Sequence, residues 1–163
     1  MSATLSHQHN GVKERAVADK TIVAGVDGSE TAAIAAERAA VLAQALDARL
    51  HLISAFGKFE SETVRIGSDT LMLSNETEAE KVAAKAATLL RSAYPDVTIT
   101  TAAAEGKPGE ALVSVAEALG ADLIVVGNKR VQGIAGRVLG SIARDVAAHA
   151  SCDVYVAHTH DRG

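Results

Sequence analysis

The sequence predicts an α/β fold, a doubly wound three-layer α/β/α sandwich on a parallel sheet. Three observations predict it. Short apolar runs alternate with helical stretches in the order β-α-β-α-β-α-β-α-β, and strict alternation with helical crossovers forces parallel pairing and right-handed connections. Alanine supplies 33 of the 163 residues, which suits helices lying close against a sheet. Finally, 48% of the residues are apolar and 22% charged, a balance that fits one domain of ordinary size.

Residues 1–18 carry polar, charged and small side chains without a lasting period and read as a flexible leader, leaving 19–160 as the folded domain. The first strand is Thr21 to Val26, ended by Asp27-Gly28-Ser29, with Ser29 as the N-cap of the first helix. In that helix Ile34, Val41, Leu42 and Ala45 share one face, and Glu37, Arg38 and Gln44 are left to solvent. Arg49 to Phe56 is the second strand. A helix from about Asn75 to Tyr94 follows, with Val82, Ala86, Leu89, Leu90 and Ala93 on a face and Asn75 with Glu78 resembling a capping box.

The third strand, Val97 to Ala103, alternates as an edge or half-covered strand would, and Gly106 and Pro108 mark the turn after it. Leu112, Val115, Ala116 and Leu119 give a third helix closed by Gly120. Asp122 to Val126 is the most apolar strand and belongs in the middle of the sheet. A fourth helix opens near Gly140-Ser141 with Ile142, Val146 and Ala150, and Asp153 to Ala157 is the fifth strand. Two strand-to-helix links, Gly57 to Ser74 and Asn128 to Leu139, exceed the usual length. Such links emerge at the carboxyl ends of the strands, where a doubly wound sheet binds its ligands.

The second of these links carries the chemistry. Gly127, Gly133, Gly136 and Gly140 fall within fifteen residues between the most apolar strand and a helix. Glycines there let backbone N–H groups approach an anion, and the helix N-terminus adds unpaired donors and partial positive charge. Ser141 adds a hydroxyl, and Lys129, Arg130 and Arg137 add cations, so the loop is expected to hold a phosphate-sized anion. The same glycines would equally serve to turn the chain and cap the helix. Asp27, at the end of strand one, could accept hydrogen bonds from a nucleobase or ribose, or could cap the first helix together with Ser29.

Several segments now match one family in order: Ile22 through Asp27-Gly28-Ser29-Glu30, Gly106-Lys107-Pro108-Gly109-Glu110-Ala111, Ala121 through Val125-Val126-Gly127, and Leu139-Gly140-Ser141 through Val154-Tyr155-Val156. Over about Lys20 to Thr159 the chain resembles the universal stress proteins. The resemblance implies a sheet of the adenine nucleotide alpha hydrolase-like kind in strand order 3-2-1-4-5, and a homodimer through the last strand at Val154 to Val156. In one branch it also implies ATP held by a G-x2-G-x9-G-S/T signature, with Mg²⁺ a candidate companion; other branches bind no ATP, and related members bind cyclic AMP. By resemblance the base would meet Asp27, with Gly28 and Ser29 beside it, and the backbone near Ala55, while phosphates would lie over Gly127, Gly140 and Ser141 with Asn128 close by. Arg130 stands where the second glycine of the signature is expected. Its side chain would either fill the phosphate space or pair with the phosphates itself.

Other function classes lose support. A formal charge of −4, with no basic run longer than Lys129-Arg130, argues against a nucleic-acid or anionic-membrane binder. One cysteine, Cys152, and a charged, His-bearing start in place of a secretory segment suggest the cytoplasm. No apolar run approaches the roughly 20 residues that span a bilayer. Neither the P-loop string nor G-x-G-x-x-G occurs. The pairs His7/His9 and His158/His160 lack an evident third metal ligand, His149 suits a helix C-terminus, and Cys152 suits packing. No catalytic constellation emerges, so the expectation is an adenine-nucleotide-binding module with at most slow ATP hydrolysis; the alternative is a nucleotide-free dimer acting by protein contacts.

Overall fold

The structure, a computed structural model, describes residues 20–57, 75–128 and 139–159. Its elements run β1 (Thr21–Gly25), α1 (Glu30–Leu46), β2 (Arg49–Phe56), α2 (Asn75–Ala93), β3 (Ile99–Glu105), α3 (Pro108–Leu119), β4 (Leu123–Gly127), α4 (Ser141–His149) and β5 (Asp153–Ala157). All four strand pairings are parallel, in the order β3-β2-β1-β4-β5. The predicted three-layer α/β/α architecture and strand order are therefore what the chain adopts.

Connection direction decides the layers. The chain steps outward from β1 to β2 to β3, then crosses back to β4 and continues to β5. Right-handed crossovers put helices of opposite travel on opposite faces. One core accordingly joins α1 and α2 to Ile22, Ala24, Leu50, Leu52 and Val125. The other joins α3 and α4 to Val23, Ile53, Ile124 and Val126. Neighbouring residues of one strand fall in different cores, as a period of two requires.

The alanines set how close α1 comes. Ala35, Ala36, Ala39, Ala40 and Ala43 are its buried residues, each at 0–1% exposure. This overturns the expected core face of Ile34, Val41, Leu42 and Ala45: Val41 is 44% exposed, Ala45 is exposed, and Ile34 and Leu42 are half-buried. A methyl side chain lets the helix backbone settle onto the strands, with Leu42 packed at the margin of that core and Val41 turned outward. In α2 the expected Leu90 is buried together with Ala79, Ala83 and Ala87, and Val82 and Ala86 are half-buried against the same core, while Ala93 is exposed and Leu89 is 65% exposed. In α3, Leu112 and Ala116 are buried as expected, but Leu119 is exposed.

Helix ends follow local chemistry. Gly120 closes α3 at φ 61°, and Asp47 closes α1 in the same left-handed region at φ 53°, a conformation Asp tolerates better than most side chains. Asn75 is the first residue of α2, and Glu78 accepts from Lys81 Nζ at 3.4 Å. At the β2–β3 margin His51 Nδ1 lies 2.6 Å from Thr100 Oγ1, and burial holds its imidazole below the usual histidine range.

Candidate functional site

The return from β3 to β4 leaves β1 and β4 adjacent, with their following helices on opposite faces, and this is the switch point where an open α/β sheet forms a crevice. A cavity of about 550 Å³ lies there, at the carboxyl ends of both strands. Three helices reach it near their starts: α1 through Thr31 and Ala32, α3 through Pro108 and, one turn on, Leu112, and α4 through Ser141, Ile142 and Ala143. Ile53, Leu112 and Val126 supply apolar wall.

The first turns differ in how their N–H groups are spent. At α1, Ser29 Oγ accepts from the Ala32 N–H at 3.2 Å, and Asp27 Oδ1 accepts from the Ser29 N–H at 2.8 Å. At α4 the cap residue is Gly140, which has no side chain to accept such a bond. The Gly140 N–H donates to Asn128 Oδ1 at 3.2 Å, and Ser141, Ile142 and Ala143 line the cavity beyond it. Donors left open at a helix start favour a negatively charged group.

Six of the nine expected site residues border this cavity: Asp27, Ser29, Ala55, Gly127, Gly140 and Ser141. Asn128 joins them through its bond to Gly140. Gly28 does not line it; at φ 83° it makes the turn between β1 and the α1 cap. Arg130, with Lys129, Gly133, Gly136 and Arg137, lies outside the described residues.

Gly127 is required by contact. A Cβ there would stand 2.9 Å from Thr31 Cγ2, 3.1 Å from the Thr31 carbonyl oxygen and 3.2 Å from Thr159 Cγ2. Gly140 has φ −61°, open to any residue, so what glycine contributes there is the absence of a side chain at the cavity wall. Asp27 fixes the α1 turn through one oxygen, as the capping role weighed for it requires, and the residue also borders the cavity.

Thr31, Ile53, Pro108 and Leu112 were not named in advance as site residues. Ile53 shares a strand face with Ala55, and Thr31 follows the Ser29 cap by two, so both were within reach of period arguments. Pro108 and Leu112 come from the far side of the sheet, and only the crossover brings them in.

Among the described lining residues Asp27 is the one ionisable side chain, and no group of three His, Cys, Asp or Glu that could hold a metal occurs among the described residues. Cys152 is half-buried just before β5, with its thiol pushed up by burial and by the nearby Asp153 and Asp122 carboxylates, which keeps it protonated. His149 ends α4, where its Nδ1 lies 2.9 Å from the Asp145 carbonyl oxygen. The described lining offers a ligand N–H donors for an anion, apolar wall for a flat ring, and a carboxylate for polar hydrogens.

The comparisons with known proteins agree with this geometry. The model of the universal stress protein family matches residues 19–158. Universal stress protein Rv1636 of Mycobacterium tuberculosis H37Rv is 35% identical over 150 residues, covering 86% of this chain and 97% of the relative. A universal stress protein of Thermus aquaticus is 33% identical over 135 residues, covering 83% and 96%. Among solved structures, a universal stress protein in complex with cAMP superposes with a TM-score of 0.66 at 31% identity, covering 86% of this chain and 98% of the other. With the family model matched over residues 19–158 and a 35% identical relative covered to 97% of its length, this chain belongs to the universal stress protein family.

Proposed function

We propose that this protein binds an adenine nucleotide, ATP or cyclic AMP, in the β1–β4 crevice and serves as a ligand-responsive stress or signalling module. The observation that carries the reading is the start of α4, where Gly140 brings no side-chain acceptor to the first-turn N–H groups and, among the described residues, these face a cavity that also holds Asp27 and an apolar wall. About 550 Å³ is within the range of small-molecule sites. The first-turn N–H groups of α4 from Ser141 to Ala143 would hold phosphate, with Gly127 and Gly140 leaving room for it, Ile53, Leu112 and Val126 would flank the base, and Asp27 would accept from base or ribose hydrogens. The cAMP complex of a 31% identical family member supports an adenine nucleotide as the ligand class. Mg²⁺ would accompany ATP through its phosphates.

Binding is the function proposed, with at most slow hydrolysis, because no second ionisable side chain stands beside Asp27 among the described lining residues to act as a general base. The protein would act in the cytoplasm as a homodimer. β5 supports that assembly: it is an edge strand whose Val154, Tyr155 and Val156 are only half-buried. Arg130, at the expected glycine of the signature, supports a second reading, a nucleotide-free dimer acting through its surface. Native mass spectrometry of the purified chain, followed by calorimetric titration with ATP and with cyclic AMP, separates the two. Retained nucleotide mass or saturable binding is expected; an empty dimer that ignores both nucleotides would favour the second reading.

A further inference from the structure

We infer that Thr159, in the segment leaving β5, is a positioning residue of the crevice, acting through Asn128 on the Gly140 N–H; this rests on the nucleotide reading above. Asn128 is held at three atoms. Its N–H donates to the Ala157 carbonyl at 3.2 Å, its carbonyl accepts from the Thr159 hydroxyl at 3.0 Å, and its side-chain Oδ1 accepts from the Gly140 N–H at 3.2 Å. Both backbone groups of Asn128 are thus fixed by the end of β5 and the residues after it, while its side chain fixes the cap of α4.

Gly140 has no side chain of its own to lock its orientation, and Asn128 supplies the side-chain bond it makes. Freeing the Asn128 carbonyl would let its peptide turn and carry Oδ1 away from the cap. The α4 donors would then have to be ordered at the moment of binding, which costs affinity. The hydroxyl of Thr159 is the part that matters in this relay. Its methyl has a separate place, against the spot where a Cβ on Gly127 would be, 3.2 Å away. The relay also ties the outermost strand on this side of the sheet to the crevice.

Thr159→Val keeps the methyl and removes the donor, whereas Thr159→Ser keeps the donor and removes the methyl. Full-length wild type and both variants would be titrated with ATP and with cyclic AMP by calorimetry, and the Gly140 amide followed by ¹H–¹⁵N NMR without nucleotide. One hydrogen bond of this kind scales binding by about two- to tenfold. The expected result is a Thr159→Val affinity weakened by that factor and a shifted Gly140 amide, with Thr159→Ser near wild type in both. Wild-type affinity and an unmoved Gly140 amide in Thr159→Val, or equal losses in the two variants, would overturn the inference. A wild type that binds neither nucleotide would strike the functional reading instead, and the Gly140 amide would still decide the relay.

Discussion

The starts of α1 and α4 flank one cavity, yet they treat their free N–H groups in opposite ways. α1 is closed by its own sequence, through Ser29 Oγ on Ala32 and Asp27 Oδ1 on Ser29. α4 begins with a glycine that closes nothing. A self-capped helix end has already used part of its capacity for an anion, whereas one without a capping side chain retains more of it. On the proposed function, the first end serves stability and the second ligand binding.

The largest effect should come from closing the open end. Gly140→Asp places a good capping carboxylate at α4, and it is expected to raise stability by a few tenths of a kcal/mol while repelling phosphate. Loss of the charge-assisted bonds there would weaken ATP binding by about a hundredfold or more. Calorimetry and thermal unfolding on the same sample would show the two changes running in opposite directions; a Gly140→Asp protein with undiminished ATP affinity would break the comparison.

Opening the closed end should do the reverse. Ser29→Ala removes the acceptor for Ala32 N–H and is expected to cost about 1 kcal/mol of stability, read as a lowered unfolding midpoint in denaturant, with nucleotide affinity little changed. A large loss of affinity without loss of stability would make Ser29 a ligand contact. The smallest effect is reserved for Ser141→Ala, which leaves the α4 backbone donors in place and deletes one hydroxyl. About a two- to fivefold weaker affinity is expected, and a complete loss would shift the phosphate contact from backbone to side chain.

Much of this contrast was legible before any coordinates. Ser29 reads as a cap, Gly140-Ser141 as a helix start, and the ranges of β2 and β5 agree with those of the structure. Strand and helix order follow from periodicity, which is robust over whole elements. The buried faces of α1 and α2 were only partly legible, because a hydrophobicity pattern favours Ile, Val and Leu while contact with the sheet rewards Ala. Val41 is spaced as part of a core stripe and still faces outward, and Ile34 is only half-buried, since five alanines already make the closer fit.

The site shows the same division. Gly127, Gly140, Ser141 and Asp27 carry local signals, in glycine spacing and strand ends. Pro108 and Leu112 reach the cavity only through the β3-to-β4 crossover, and Thr159 enters only because β5 pairs beside β4 and brings it to Asn128. Such residues have no local signature: their role exists only once distant segments are neighbours. The consequence of Arg130 at the glycine position lies outside the described residues and returns as the reason to test nucleotide binding directly.

The most direct test of the central claim is a ¹H–¹⁵N NMR titration of the full chain with ATP and with cyclic AMP, comparing the backbone amides of the two helix starts. Saturable shifts concentrated at Ser141, Ile142 and Ala143, with Ala32 staying close to its nucleotide-free position, are the predicted result. Amides of α4 that stay still at saturating nucleotide, or an Ala32 amide that moves more than they do, would contradict it.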